Sequence, residues 1–192
     1  MPKPLADGVP PPGTLQTLVA TLHPGPSQAQ LLLRTMAVCN RAANDVADVA
    51  YALGRAHHAE LSKLLYNDLR LRYRLPANLA LHAITKLVQR FHLDPSRRPH
   101  FADHAGVFYQ EGKTLSWKGA DRISMLTLEG RQLVPVRFER YQELGLPTFK
   151  RGNVGLTYDD PVFAIFQVVE VPDAPPARLP TGGDLRARFT GC

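Results

Sequence analysis

His100 and His104 place two imidazoles four residues apart with Asp103 between them, a spacing that metal ions use. The stretch reads as a loop with no third and fourth ligand nearby, so no metal is expected there. Ser62, Ser116 and Ser124 lack the strand-to-helix setting of an activated nucleophile. His57-His58 reads as a solvated helix start. The Gly-containing run R-G-N-V-G, Arg151 to Gly155, has neither the Lys-Ser/Thr ending nor the following helix of a phosphate-cradling loop, so Gly152 and Gly155 read as turn and bulge positions. No catalytic residue, resident metal or cofactor is expected. Binding chemistry remains.

The clearest binding pattern runs from Leu75 to Leu93. Leu79, Ala80, Ala83, Ile84, Leu87, Val88 and Phe91 recur at the spacing of one buried helix face, with Pro76 suited to its first turn. On the other face Asn78, His82, Lys86 and Arg90 advance four residues at a time, aligning amide, imidazole, ammonium and guanidinium groups. Such a row could follow a phosphate backbone and read a base edge. A preceding helix, His58 to Arg74, turns Leu61, Leu64, Leu65 and Leu69 inward and Lys63, Asn67, Arg70 and Arg74 outward, with Arg72 and Tyr73 alongside. Guanidinium and phenol planes both stack on splayed bases while the charge meets phosphate, which suits RNA. Both rows also read as ordinary solvated helix faces.

The elements that must position these rows are legible from periodicity. Residues 1–13, rich in Pro and Gly, are expected to form a loose arm. Thr14 to Leu22 is apolar on both faces and reads as a buried strand. Ser27 and Gln30 have capping-box spacing, so a long helix is expected from Ser27 to a stop at Gly54, with Cys39 as a small core residue. After residue 94 the pattern turns to strands. V-F-Y-Q and K-T-L-S-W read as a hairpin about Glu111-Gly112, the segments around Glu129-Gly130 as a second, and those around Asp159-Asp160-Pro161 as a third. Pro135 is tolerable on an edge or at a bulge. The expected fold is α+β: a small antiparallel, OB-like β-barrel from residues 14–23 plus 94–172. A helical insertion of about three helices, residues 24–93, lies between its first and second strands, and residues 173–192 form a linker and frayed end.

The formal net charge is +6 with a pI near 9.6, and the basic residues are spread over helices and loops, favouring a nucleic-acid partner over a membrane. No apolar run approaches a spanning length and the N-terminus lacks a signal-peptide core, so a cytoplasmic location is the default.

The order of elements and several local motifs resemble the N-terminal half of the TnpB-like (OrfB-type) transposon-encoded RNA-guided nucleases, relatives of the compact type V CRISPR effectors. The motifs are the P-x-x-x-Q helix start near Gly25 to Gln30, C-N-R-A-A-N-D from Cys39 to Asp45, and the Leu75 to Phe91 helix with its basic-aromatic ending. The Ile123 to Val136 hairpin and the Val162 to Pro172 strand complete the set. The resemblance implies a wedge-like barrel and a recognition-like insertion that together hold a structured guide RNA and read a motif beside a double-stranded DNA target. It would assign Asn78, His82, Lys86 and Arg90 to that DNA motif. Lys63, Arg70, Arg72, Tyr73 and Arg74 would meet RNA or phosphate, as would Lys118, Arg122, Lys150 and Arg151 of the strand region. That family cuts DNA with three separated carboxylates, the first in a G-x-D-x-G strand. Here Gly182-Gly183-Asp184-Leu185-Arg186 has Arg at the fifth position, and the sequence stops at Cys192 before the other two. The expectation is a nuclease-less protein that binds without cleaving. The alternatives are a guide-independent basic regulator of nucleic acid or protein, or half of a split nuclease completed in trans.

Overall fold

The computed structural model describes residues 15–119, 121–138 and 150–170. In β1 (Leu15–Leu22) Leu18, Ala20 and Leu22 are buried while Leu15, Thr17 and Val19 face out. One face is buried, where apolar residues on both had suggested two. The same alternation recurs in β5 (Gly130–Phe138), which buries Val134, Val136 and Phe138, and in β7 (Val162–Glu170), which buries Phe163, Ile165, Gln167 and Val169. Period-two burial of this kind is what a barrel with a filled interior requires. With β2 (Val107–Gln110), β3 (Leu115–Trp117), β4 (Arg122–Thr127) and β6 (Lys150–Asp159), these strands form one antiparallel sheet in the order β2-β6-β7-β1-β5-β4-β3. Its two ends approach at an isolated bridge between Glu111 and Leu115, so the barrel is nearly closed.

Between β1 and β2 the chain makes three helices, α1 (Pro26–Leu53), α2 (His58–Tyr73) and α3 (Ala77–Leu93). The α+β barrel with a helical insertion is therefore the fold. Two helix starts differ from expectation by a residue or two. Gly25 caps α1 and its N–H donates to Gln28 Oε1 at 3.2 Å, which leaves Ser27 inside the first turn. Pro76 is itself the cap of α3, with extended backbone, and the helix begins at Ala77.

The second and third hairpins form as read. Thr127 pairs with Gly130 across Leu128-Glu129, and Asp159 with Val162 across Asp160-Pro161. The first does not form. β2 pairs with β6 and β3 pairs with β4, because the chain between them coils on itself: the Thr114 N–H returns to Gln110 O at 2.9 Å and the Gln110 N–H donates to Thr114 Oγ1 at 2.7 Å. Those local bonds consume groups that a hairpin ladder would have used. Pro135 lies on an inner strand, where the pairing of β5 with β4 at Arg122 gives way to its pairing with β1 at Leu22.

Within the insertion's core, which also holds Leu32, Met36, Leu61, Leu69, Ile84 and Leu87, the seam between α1 and α3 carries small residues. Ala42, Ala43, Ala47 and Ala50 of α1 and Ala80 and Ala83 of α3 are buried, which lets the two helix backbones approach closely. No helix among the described residues is long and apolar enough to cross a membrane. Leucine at Ala47 has no room at that seam, and Ala47→Leu is expected to cost about 1–3 kcal/mol in urea unfolding. Ala52→Leu, on the exposed face of the same helix, should leave the midpoint within experimental error.

Candidate nucleic-acid interface

The polar row of α3 does not stand in solvent as its spacing suggests. Lys86 Nζ donates to Gly106 O at 2.7 Å and to Asn40 Oδ1, and lies 4.5 Å from the centre of the Phe101 ring. One turn earlier, His82 Nδ1 meets Phe108 O at 2.6 Å. Because a carbonyl can only accept, Nδ1 carries the proton and Nε2 is left as an acceptor. Gly106 and Phe108 are two residues apart, at and just before the free edge of β2. Four helical residues rise about 6 Å and two strand residues about 6.6 Å, so the helix row matches the spacing of the edge carbonyls. His82 and Lys86 thus cover the barrel's edge and are half-buried, where their spacing alone suggested a fully exposed row. Asn78 is half-buried, and Arg90 alone of the four is exposed.

Asn40 fastens this arrangement from α1. Its amide Nδ2 donates to Asp103 O at 2.9 Å and Ala105 O at 2.8 Å, while its oxygen accepts from Lys86. Asn44 exchanges two bonds with the Phe101 backbone, at 2.9 and 2.8 Å, and Arg41 Nε donates to Asp103 Oδ1 at 3.1 Å. The C-N-R-A-A-N-D motif is therefore a clamp on the α3–β2 connection. His100 and His104 flank it: Asp103 is engaged by Arg41, whose hydrogen bond holds its carboxyl below the ordinary carboxylate range, and the His104 ring meets Tyr158 edge-on at 5.5 Å.

Between α3 and the outer side of β2 and β6 lies an open cleft of about 300 Å³. Asn78, His82, Thr85, Lys86 and Gln89 form its helix wall, with His58 of α2 bonded to Thr85 at 3.1 Å. Phe108, Gln110, Lys113 and Asn153 form the opposite wall. Two amines and two imidazoles line it, and no carboxylate does. Burial, with the nearby Lys113 charge adding to it, lowers the His82 pKa below its usual value and keeps the ring neutral. Burial likewise brings Lys86 down to about 8. The Cys39 thiol behind it is pushed up to about 12 by burial, so it stays protonated and unreactive.

Elsewhere the site residues read from sequence divide. Lys63 and Arg70 are exposed on α2 and Arg74 at its C-cap, with Arg70 5.6 Å from the Tyr66 ring centre, and Leu64, read as inward, is exposed beside them. Arg72, expected to contact RNA, is exposed and bridges Asp45 at 2.7 Å and Asp68 at 2.9 Å, and the hydroxyl of the half-buried Tyr73 donates to Asp45 at 2.9 Å. Lys118 and Arg122 are exposed at the β3–β4 turn, outside the cleft's lining, with Arg122 3.8 Å from Asp121. The side chains of Lys150 and Arg151 lie outside what the structure describes, as do residues 1–14 and the Asp184 segment. Sequence reasoning missed Phe108, Gln110, Lys113 and Asn153 as partners of the α3 row. They come from strand and loop positions whose pairing no local pattern specifies.

No family model and no curated protein matches this chain.

Two outcomes test the clamp. Asn40→Ala leaves Lys86 and two carbonyls short of partners and should cost about 2–4 kcal/mol in denaturant unfolding. For Lys86 the folded pKa, about 8, lies below the ordinary 10.5, so between those values the unfolded chain holds more protons and stability rises with pH. Cys39 acts in the opposite sense above its ordinary value of 9.0. The melting temperature is thus expected to rise from about pH 8 towards 9, and Lys86→Met should abolish the rise.

Proposed function

We propose that this chain is a nuclease-less, TnpB-like binding protein that holds a structured guide RNA and, through that RNA, docks on double-stranded DNA without cleaving it. The observation that carries the reading is the carboxylate-free cleft between insertion and barrel, lined by amides, imidazoles and amines in a chain of net charge +6. Such a lining attracts phosphate and offers donors and acceptors to bases, while repelling no anion. The exposed Lys63, Arg70 and Arg74 of α2 supply a second electropositive surface on the same insertion. His82 and Lys86 act here by fixing the cleft's helix wall against the barrel edge rather than by tracking a phosphate strand. A guide-independent regulator and a half-enzyme completed in trans are the competing readings.

Purifying the protein from its host and sequencing the RNA that survives nuclease and moderate salt separates these readings. One enriched structured RNA with a variable end supports the proposal; random fragments or none would count against guide holding. With such an RNA in hand, Lys63→Ala, Arg70→Ala and Arg74→Ala combined should reduce the log-affinity slope against log salt by roughly 2–3. Arg72→Ala should lower thermal stability and leave that slope unchanged, because its charge is already committed to Asp45 and Asp68.

A further inference from the structure

We infer that the cleft between α3 and β2–β6 takes one unpaired nucleotide, its base stacked on Phe108 and its phosphate near Lys113. The inference rests on the nucleic-acid-binding reading and assigns what that surface receives. A cleft of about 300 Å³ is at the small end of the roughly 300–1,000 Å³ range of small-ligand sites, room for a single splayed nucleotide but not for a duplex.

Phe108 is the feature that selects a base. Its side chain is 41 % exposed in a wall that is otherwise polar. The ring is not loose: it meets Phe166 edge-to-face at 6.2 Å. Phe166 in turn lies flat over Gly155, the residue paired with both Phe108 and Phe166 across the ladder. A Cβ at Gly155 would sit 2.0 Å from the Phe166 ring, so the bare glycine is the seat that holds the aromatic pair. A preorganised ring loses little freedom on stacking.

The edges of the cleft supply the rest of the chemistry. Asn78, Gln89, Gln110 and Asn153 each present a primary amide that makes no hydrogen bond among the described residues. Each amide offers one acceptor and two donors, the pattern that base edges complement, and His82 adds a neutral Nε2 acceptor. An apolar peptide would bury these amides unpaired, and an acidic one would have no use for the aromatic face. Lys113 is exposed at the rim, where a sugar-phosphate backbone entering the cleft would pass.

Fluorescence anisotropy on a mixed-sequence single-stranded RNA, the same sequence as single-stranded DNA, and the blunt duplex tests this. Phe108→Ala should weaken single-strand binding roughly 5- to 100-fold and leave duplex binding unchanged, and Phe108→Tyr should restore it. Phe108→Leu, which keeps apolar bulk and the fold without an aromatic face, should behave like Phe108→Ala. A 2-aminopurine in the RNA should be quenched by the wild type and not by Phe108→Leu. A larger loss on RNA than on DNA identifies a ribonucleotide; equal losses identify either strand, and both support the inference. Equal loss on duplex and strand, or no loss in Phe108→Leu, overturns the inference while RNA binding that still depends on Lys63, Arg70 and Arg74 keeps the broader reading. Absence of any nucleic-acid binding overturns both.

Discussion

A half-buried ammonium that must find oxygen partners is the constraint on which the arrangement of helices and barrel depends. Lys86 sits where α1, α3 and the approach to β2 converge, and its partners are the Asn40 carboxamide and the Gly106 carbonyl. Neither element can shift without leaving a charge or a carbonyl bare in a poorly hydrated place. His82 repeats the arrangement one turn away on Phe108 O. Together the two side chains give the exposed edge of β2 the covering that an open sheet edge needs, and they fix the helix wall of the cleft beside it.

This dual use explains why the α3 row was only half legible. Its four-residue recurrence and its helix were plain in the sequence, because period and apolar stripe are local properties. What the polar face looks at was not, since an edge carbonyl and a phosphate oxygen make the same demand on an imidazole or an ammonium. The seven strands and three helices of the described residues were readable for the same local reason. The failed β2–β3 hairpin shows the limit: Glu111-Gly112 carries a turn signal, but Thr114 commits its hydroxyl and N–H to Gln110, and the strand finds its partner some forty residues later in β6.

Charge tells a similar story on α2. As sequence, Lys63, Arg70 and Arg74 read as one basic face, with Arg72 and Tyr73 alongside. Asp45 and Asp68 engage Arg72, and Asp45 also accepts from Tyr73; Asp45 belongs to α1. An ion pair between distant segments is invisible to helix periodicity. The barrel wall of the cleft was missed for a related reason: Phe108, Gln110 and Asn153 share a face only through the β2–β6 register.

Many of the helices' hydrogen bonds to the barrel and to the α3–β2 connection are made to main-chain carbonyls, beside the ion pairs of Arg34 with Glu129, Arg41 with Asp103 and Arg98 with Asp48. Gln28 bonds Leu133 O, Asn40 bonds Asp103 O and Ala105 O, Tyr51 bonds Asp94 O and Arg97 O, and His82 and Lys86 bond Phe108 O and Gly106 O. A carbonyl is present whatever residue carries it. At the carbonyl contacts the specificity of the junction is therefore written on the helical side, and the connecting positions that offer only a carbonyl can drift in sequence during evolution without loosening the joint, unlike Phe101 and Asp103, whose side chains take part. Variation should accumulate at Ala102, Ala105 and their neighbours far faster than at Gln28, Asn40 or Tyr51.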